Sequence, residues 1–128
     1  MPYQKYTELD VWKQGRELAS HVYALTTAYP KSEQFGLVSQ IRRSVVSVPS
    51  NIAEGCGRQH SKETLHFLSI AKGSLYELET QLYISKDLSL ITNEQLELFL
   101  IKIENLGKLI SGFMRYYSDK TKPAPSKT

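Results

Sequence analysis

From Leu96 to Tyr117 the apolar residues return at alternating steps of three and four: Leu96, Phe99, Ile103, Leu106, Ile110, Phe113 and Tyr117. An α-helix turns once in about 3.6 residues, so this rhythm places all seven along one side of a single helix. A strand would scatter them over both faces of a sheet. A helix with one long apolar seam is marginal alone in water and needs other helices to cover that seam. The fold therefore depends on whether the rest of the chain supplies such partners.

It supplies three. Val11, Gly15, Leu18, Val22, Leu25 and Tyr29 form a stripe on a first helix, expected over about residues 7–29. Thr7 or Asp10 is placed to cap its start, and Pro30 stops it. Leu37, Ile41, Val45, Val48 and Ile52 mark a second helix, about 32–57, which Gly55 and Gly57 end. Pro49 lies inside this pattern, removes the amide that would bond the Val45 carbonyl, and predicts a kink. The run Ser44–Val48 has strand propensity, but no second strand exists to pair with it. Leu68, Ala71, Leu75, Leu78, Leu82 and Ser85 mark a third helix, about 61–88, with Ser61 as its expected N-cap and Glu63 favourable in its first turn. Thr92 and Gln95 have capping-box spacing at the head of the fourth helix, about 93–118. Such helices are about 33–42 Å long, and the loops between them are only a few residues. Short loops lay consecutive helices antiparallel, side by side. The expected fold is all-α: one domain over residues 1–118, an antiparallel up-down four-helix bundle. Residues 119–128, rich in Lys and Pro, form an expected disordered tail.

The helices carry more apolar surface than one core requires. Trp12, Ala19 and Tyr23 make a second stripe on the first helix, and Phe67, Ile70, Tyr76, Tyr83 and Ile84 do so on the third. Leu98, Leu100, Leu109 and Met114 add to the fourth. Such surplus leaves exposed patches on a monomer, so a homo-oligomer is expected. The net charge of +3 is unevenly placed: residues 36–62 carry +3 and the segment from Asp119 carries +2. Arg42, Arg43, Arg58 and Lys62 are thus the candidate nucleic-acid-binding residues, for RNA or a nucleoprotein. The lone Cys56 excludes an internal disulfide and suits a reducing cytoplasm. No apolar run is long enough to span a membrane, so no membrane partner is expected.

Chemistry is harder to place. Cys56, His60 and His66 match no familiar metal spacing and lack a fourth ligand. The turn Gly55–Lys62 has no strand before it and no glycine directly ahead of Lys62, so it is not a Walker loop. Cys56 has a nearby histidine but no carboxylate to orient it. Glu77 and Glu79 sit two apart and point in different directions. The reading is non-enzymatic, with no catalytic residue, metal or cofactor. Gln40, Arg43, Ser47, Asn51 and Glu54 recur at three or four along the second helix. This polar stripe borders the apolar one, and a structural network with Glu77 or Glu79 is expected to fix helix register. The alternative function is a structural or protein-interaction module with no nucleic-acid role.

The unbroken stretch from Phe35 to Arg58, FGLVSQIRRSVVSVPSNIAEGCGR, resembles the core motif of the four helix bundle protein family, also called 23S rRNA-intervening sequence proteins. Leu9-Asp-Val-Trp12, Tyr29-Pro30 with Glu33, and the run from Ile70 to Thr80 match as well, so the resemblance covers about residues 9–117. It implies a four-helix bundle assembled as a ring-like homopentamer, from genes found in insertions within bacterial large-subunit ribosomal RNA genes and elsewhere. The fold is also similar to that of the accessory protein of diversity-generating retroelements, a basic pentamer that works with RNA. The resemblance assigns Arg43, Ser47, Asn51, Glu54, Gly55, Gly73, Glu77 and Glu79 architectural roles, and no biochemical activity is implied for most of the family.

Overall fold

The computed structural model describes residues 5–121. Four α-helices account for most of them: α1 (Asp10–Thr26), α2 (Leu37–Cys56), α3 (Ser61–Asp87) and α4 (Asn93–Thr121). Short 3-10 turns at Tyr6–Glu8 and Lys31–Glu33 precede α1 and α2, and no strand occurs among the described residues. Each helix packs on the next and α4 closes on α1, while the backbones of the diagonal pairs stay further apart. Arg42 near the start of α2 reaches Thr26 at the end of α1, and Pro49 further along meets Gly15. Ser47 meets Ser74 and Gly55 meets Thr64 between α2 and α3. Lys72 meets Ser111, and Leu75 lies against Gly107, between α3 and α4. Rising numbers in one helix meet falling numbers in the next, so consecutive helices run in opposite directions. No helix among the described residues is long and apolar enough to cross a membrane.

The stripes are the core. Ile41, Val45, Val48 and Ile52 of α2 are fully buried with Leu68, Ala71, Leu78 and Leu82 of α3, and Ile103, Leu106 and Ile110 of α4 join them. Of the second stripes, Trp12, Ala19, Leu100 and Met114 pack against this core. Tyr23, Ile70, Tyr76, Tyr83, Ile84, Leu98 and Leu109 remain exposed.

α2 runs on through Pro49, whose buried ring packs against Gly15 of α1. A Cβ on Gly15 would stand 3.3 Å from the Pro49 Cβ, so the absence of a side chain there lets the helices approach. At the other end of α2, a Cβ on Gly55 would stand 3.2 Å from both the Phe67 Cβ and the Thr64 carbonyl oxygen. The Thr64 hydroxyl donates to the Gly55 carbonyl at 2.8 Å, a second donor beside the Arg58 amide at 3.2 Å, and so ties α3 to the last turn of α2.

Helix ends differ from expectation where caps decide them. The Thr92–Gln95 box forms: the Gln95 amide donates to Thr92 Oγ1 at 3.1 Å and the Thr92 amide to Gln95 Oε1 at 2.9 Å. Ser61 is the first helical residue of α3 rather than its cap; the His60 carbonyl accepts the Glu63 and Thr64 amides instead. Neither Thr7 nor Asp10 caps α1, because Thr7 is spent in the 3-10 turn and Leu9 takes the cap position. Residues 31–36, partly assigned to the second helix on spacing, form the 3-10 turn and a second turn instead. α4 continues to Thr121, three residues into the stretch expected as a disordered tail, and the remainder of that stretch lies outside the described residues.

Candidate functional site

The four basic candidates do not form one patch. Arg42 lies near the start of α2, where its Nε donates to Thr26 Oγ1 at 2.9 Å and its Nη2 to the Tyr23 carbonyl at 3.3 Å. Its guanidinium also stacks 4.4 Å from the Tyr23 ring centroid. It closes the C-terminal end of α1, where a cation meets the negative end of the helix dipole, so it is a structural arginine. Arg58, beyond the other end of α2, donates to Glu54 at 3.0 Å and lies 4.6 Å from the Phe67 centroid. Arg43 and Lys62 form neither a hydrogen bond nor an ion pair among the described residues, and both are exposed. At 1.5 Å per residue, Arg43 stands about 20 Å along α2 from the end where Arg58 and Lys62 lie. Charge that is contiguous in sequence is divided between opposite ends of the bundle.

The polar stripe on α2 is likewise resolved into parts. Asn51 Nδ2 donates to the Ser47 carbonyl at 2.8 Å and to Ser47 Oγ at 2.9 Å, and Ser47 Oγ lies 2.9 Å from Ser74 Oγ. That triad links α2 to α3. Glu54 instead pairs with Arg58 on its own side of the molecule. Neither glutamate joins the network. Glu79 faces the cleft between α3 and α4, beside Lys72, Tyr76 and Tyr83. Glu77 faces the groove between α2 and α3, with Arg43 and Gln40 on the opposite wall. Ser74, a turn before Glu77, is the α3 side chain that meets Ser47, and neither Glu77 nor Glu79 forms a side-chain hydrogen bond or ion pair among the described residues.

Two residues of this groove escape a reading by charge and period. Gln81 is only 7% exposed, and its carboxamide oxygen is buried without a hydrogen-bond partner. It lies one turn beyond Glu77, so the polar spacing of α3 carried the signal. Phe35 is 93% exposed at the groove's upper rim. An aromatic residue directly before a glycine in a loop is its signal, because no core helix accounts for it.

Burial raises the pKa of the half-buried Cys56 thiol above its ordinary value, which disfavours the reactive thiolate. Among the described residues no three His, Cys, Asp or Glu side chains gather closely enough to hold a metal ion. The site can offer charge, amides, hydroxyls and an aromatic face.

A crystal structure of a protein of unknown function from the S23 ribosomal protein family of Bacteroides thetaiotaomicron VPI-5482 has a similar fold. Its TM-score is 0.73 at 25% identity, over 81% of this chain and 97% of that one. A search of the curated proteins finds no match. The family model described as 23S rRNA-intervening sequence protein matches residues 7–112, most of the bundle from the turn before α1 into α4. This chain belongs to the 23S rRNA-intervening sequence protein family.

Proposed function

We propose that the protein is a non-enzymatic bundle that self-associates and binds RNA, free or within a nucleoprotein, through cations that the fold leaves unpaired. The observation that carries this is Arg43. It is exposed and has no counter-ion among the described residues, in a chain of net charge +3. Lys62 plays the same part at the far end. Association would bury the exposed Tyr76, Tyr83, Leu98 and Ile101 of α3 and α4, and the family resemblance favours a homopentamer.

RNA affinity should fall steeply between ~50 and ~300 mM salt, because each neutralised phosphate releases counter-ions. Arg43→Glu and Lys62→Glu should each flatten the logarithmic slope by about 0.7 for every phosphate left without its cation. Arg42→Glu should instead act mainly on stability. Absence of RNA binding at low salt defeats the nucleic-acid part. Light scattering that gives a 14.6 kDa monomer at high concentration defeats the assembly part. The exposed apolar residues of α3 and α4 favour a second reading, a protein-interaction module with an incidental positive charge. Recovery of a protein partner after nuclease treatment, with no RNA affinity, would select it.

A further inference from the structure

α2 and α3 face each other through successive polar pairs. Ser47 and Ser74 close one pair at 2.9 Å. One turn further up, Arg43 and Glu77 line the same groove and form no ion pair, and beyond them Gln40 and Gln81 form no side-chain hydrogen bond. Both side chains are exposed, where closing on each other would gain little, so each remains available to a group that enters the groove. Gln81, only 7% exposed, lines the groove, and its carboxamide oxygen is enclosed by the protein without a hydrogen-bond partner, so turning it into the groove would break no protein hydrogen bond. The space measures about 470 Å³, within the range of small-molecule sites. Phe35 stands at its rim with its ring in solvent.

Resting on the RNA-binding reading above, we propose that this open upper half of the α2–α3 groove takes one unpaired guanine nucleotide of single-stranded RNA. Each group has a complement there. The guanine Watson–Crick edge presents N1–H and N2–H side by side, the paired donors that the Glu77 carboxylate can accept together. Adenine and cytosine offer a single amino group and uracil a single imide N–H, so none matches both carboxylate oxygens. The Gln81 amide can turn about its last torsion to accept the remaining amino hydrogen. Phe35 supplies a stacking face, and Arg43 on the other wall supplies the cation for the adjoining phosphate. A duplex hides that base edge and is too broad to enter between two packed helices.

The test measures fluorescence anisotropy of the full chain with short uridine strands carrying one central G, A, C or U, at about 100 mM salt. The G strand should bind at least about tenfold more tightly than the others, within the discrimination that one bidentate contact provides. Glu77→Gln should abolish that preference and leave the salt slope unchanged. Phe35→Ala should weaken all four strands about tenfold through lost stacking. Both side chains are exposed, so both variants should keep the parent's circular dichroism and melting curve. Equal affinity for the four strands, or a G preference that survives Glu77→Gln, overturns the proposal while RNA binding itself stands. If no strand binds, the RNA reading fails, and calorimetry with guanosine monophosphate decides the groove separately. Heat that disappears in Glu77→Gln supports the site, and no heat overturns it.

Discussion

Replacing Gly15, Gly55 and Gly73 with alanine makes one chemical change at three places, with opposite expected signs. In a helix interior the change is favourable by about 0.8–1 kcal/mol, because glycine loses more backbone freedom on folding. At Gly73 no atom lies within 4 Å of the new Cβ, so the full gain should appear. At Gly15 the new methyl stands 3.3 Å from the Pro49 Cβ, with the Pro49 Cα and Cδ at 3.5 Å. A proline ring inside a buried helix cannot rotate away, so α1 and α2 must separate. Overpacking of this kind costs about 1–3 kcal/mol, which leaves a net loss of about 0–2 kcal/mol. At Gly55 two atoms stand at 3.2 Å, one of them the backbone oxygen of Thr64. The helices cannot part there without stretching the 2.8 Å Thr64–Gly55 hydrogen bond, and the propensity gain is smaller at a helix end. A net loss of about 1–3 kcal/mol follows. Urea unfolding at one fixed protein concentration would report these as midpoint shifts at constant m, with thermal midpoints moving about 4 °C per kcal/mol. A Gly55→Ala protein as stable as the parent, or a Gly73→Ala protein less stable, would refute the packing argument.

Four further outcomes are expected. Ser89 adopts φ 59° in the α3–α4 turn, a region glycine enters without strain, so Ser89→Gly should raise stability by up to about 1 kcal/mol in the same unfolding assay. Thr64→Val keeps the shape but removes one of two donors to the Gly55 carbonyl, which retains the Arg58 amide, and should cost about 0.5–1.5 kcal/mol. Thr80→Val, which removes an exposed hydroxyl bonded only within its own helix, should stay within about 0.5 kcal/mol. Burial lifts the Cys56 pKa above the ordinary thiol value, so less thiolate is present at any pH below it. Alkylation of the native protein by iodoacetamide should therefore be slower than that of the urea-unfolded chain, and its rate should rise toward a higher pH.

Most of the fold was legible because it rests on period. The stripe of α3, from Leu68 to Ser85, is buried throughout, and five of the seven seam residues of α4 are buried. Local chemistry was legible where two side chains name each other, as Thr92 and Gln95 do. It failed where a cap is made by backbone alone. Ser61 resembles an N-cap in type, but the chain reaches α3 one residue earlier and the His60 carbonyl serves the amides. The close approach at Gly15 could not be read at all, since it depends on Pro49, which is remote in sequence and neighbouring only once α1 lies on α2.

The candidate site was less legible because a charge count records side chains and not their commitments. Arg42 and Arg43 are adjacent and chemically identical, yet successive residues on a helix point about 100° apart. One turns toward α1 and is held by Thr26, Tyr23 and a ring face; the other turns toward α3 and is held by nothing. Arg58 is committed by a glutamate four residues earlier, a spacing visible in the sequence. Subtracting committed charges moves the functional surface away from the middle of the basic segment, to Arg43 on one end and Lys62 on the other. Only the Arg43 end combines an unpaired cation with an unpaired carboxylate, an unserved buried amide and an exposed ring. For that reason Arg43→Glu should disturb RNA binding more than Lys62→Glu, although the two changes alter net charge equally. Equal losses would mean that the bundle reads only total charge.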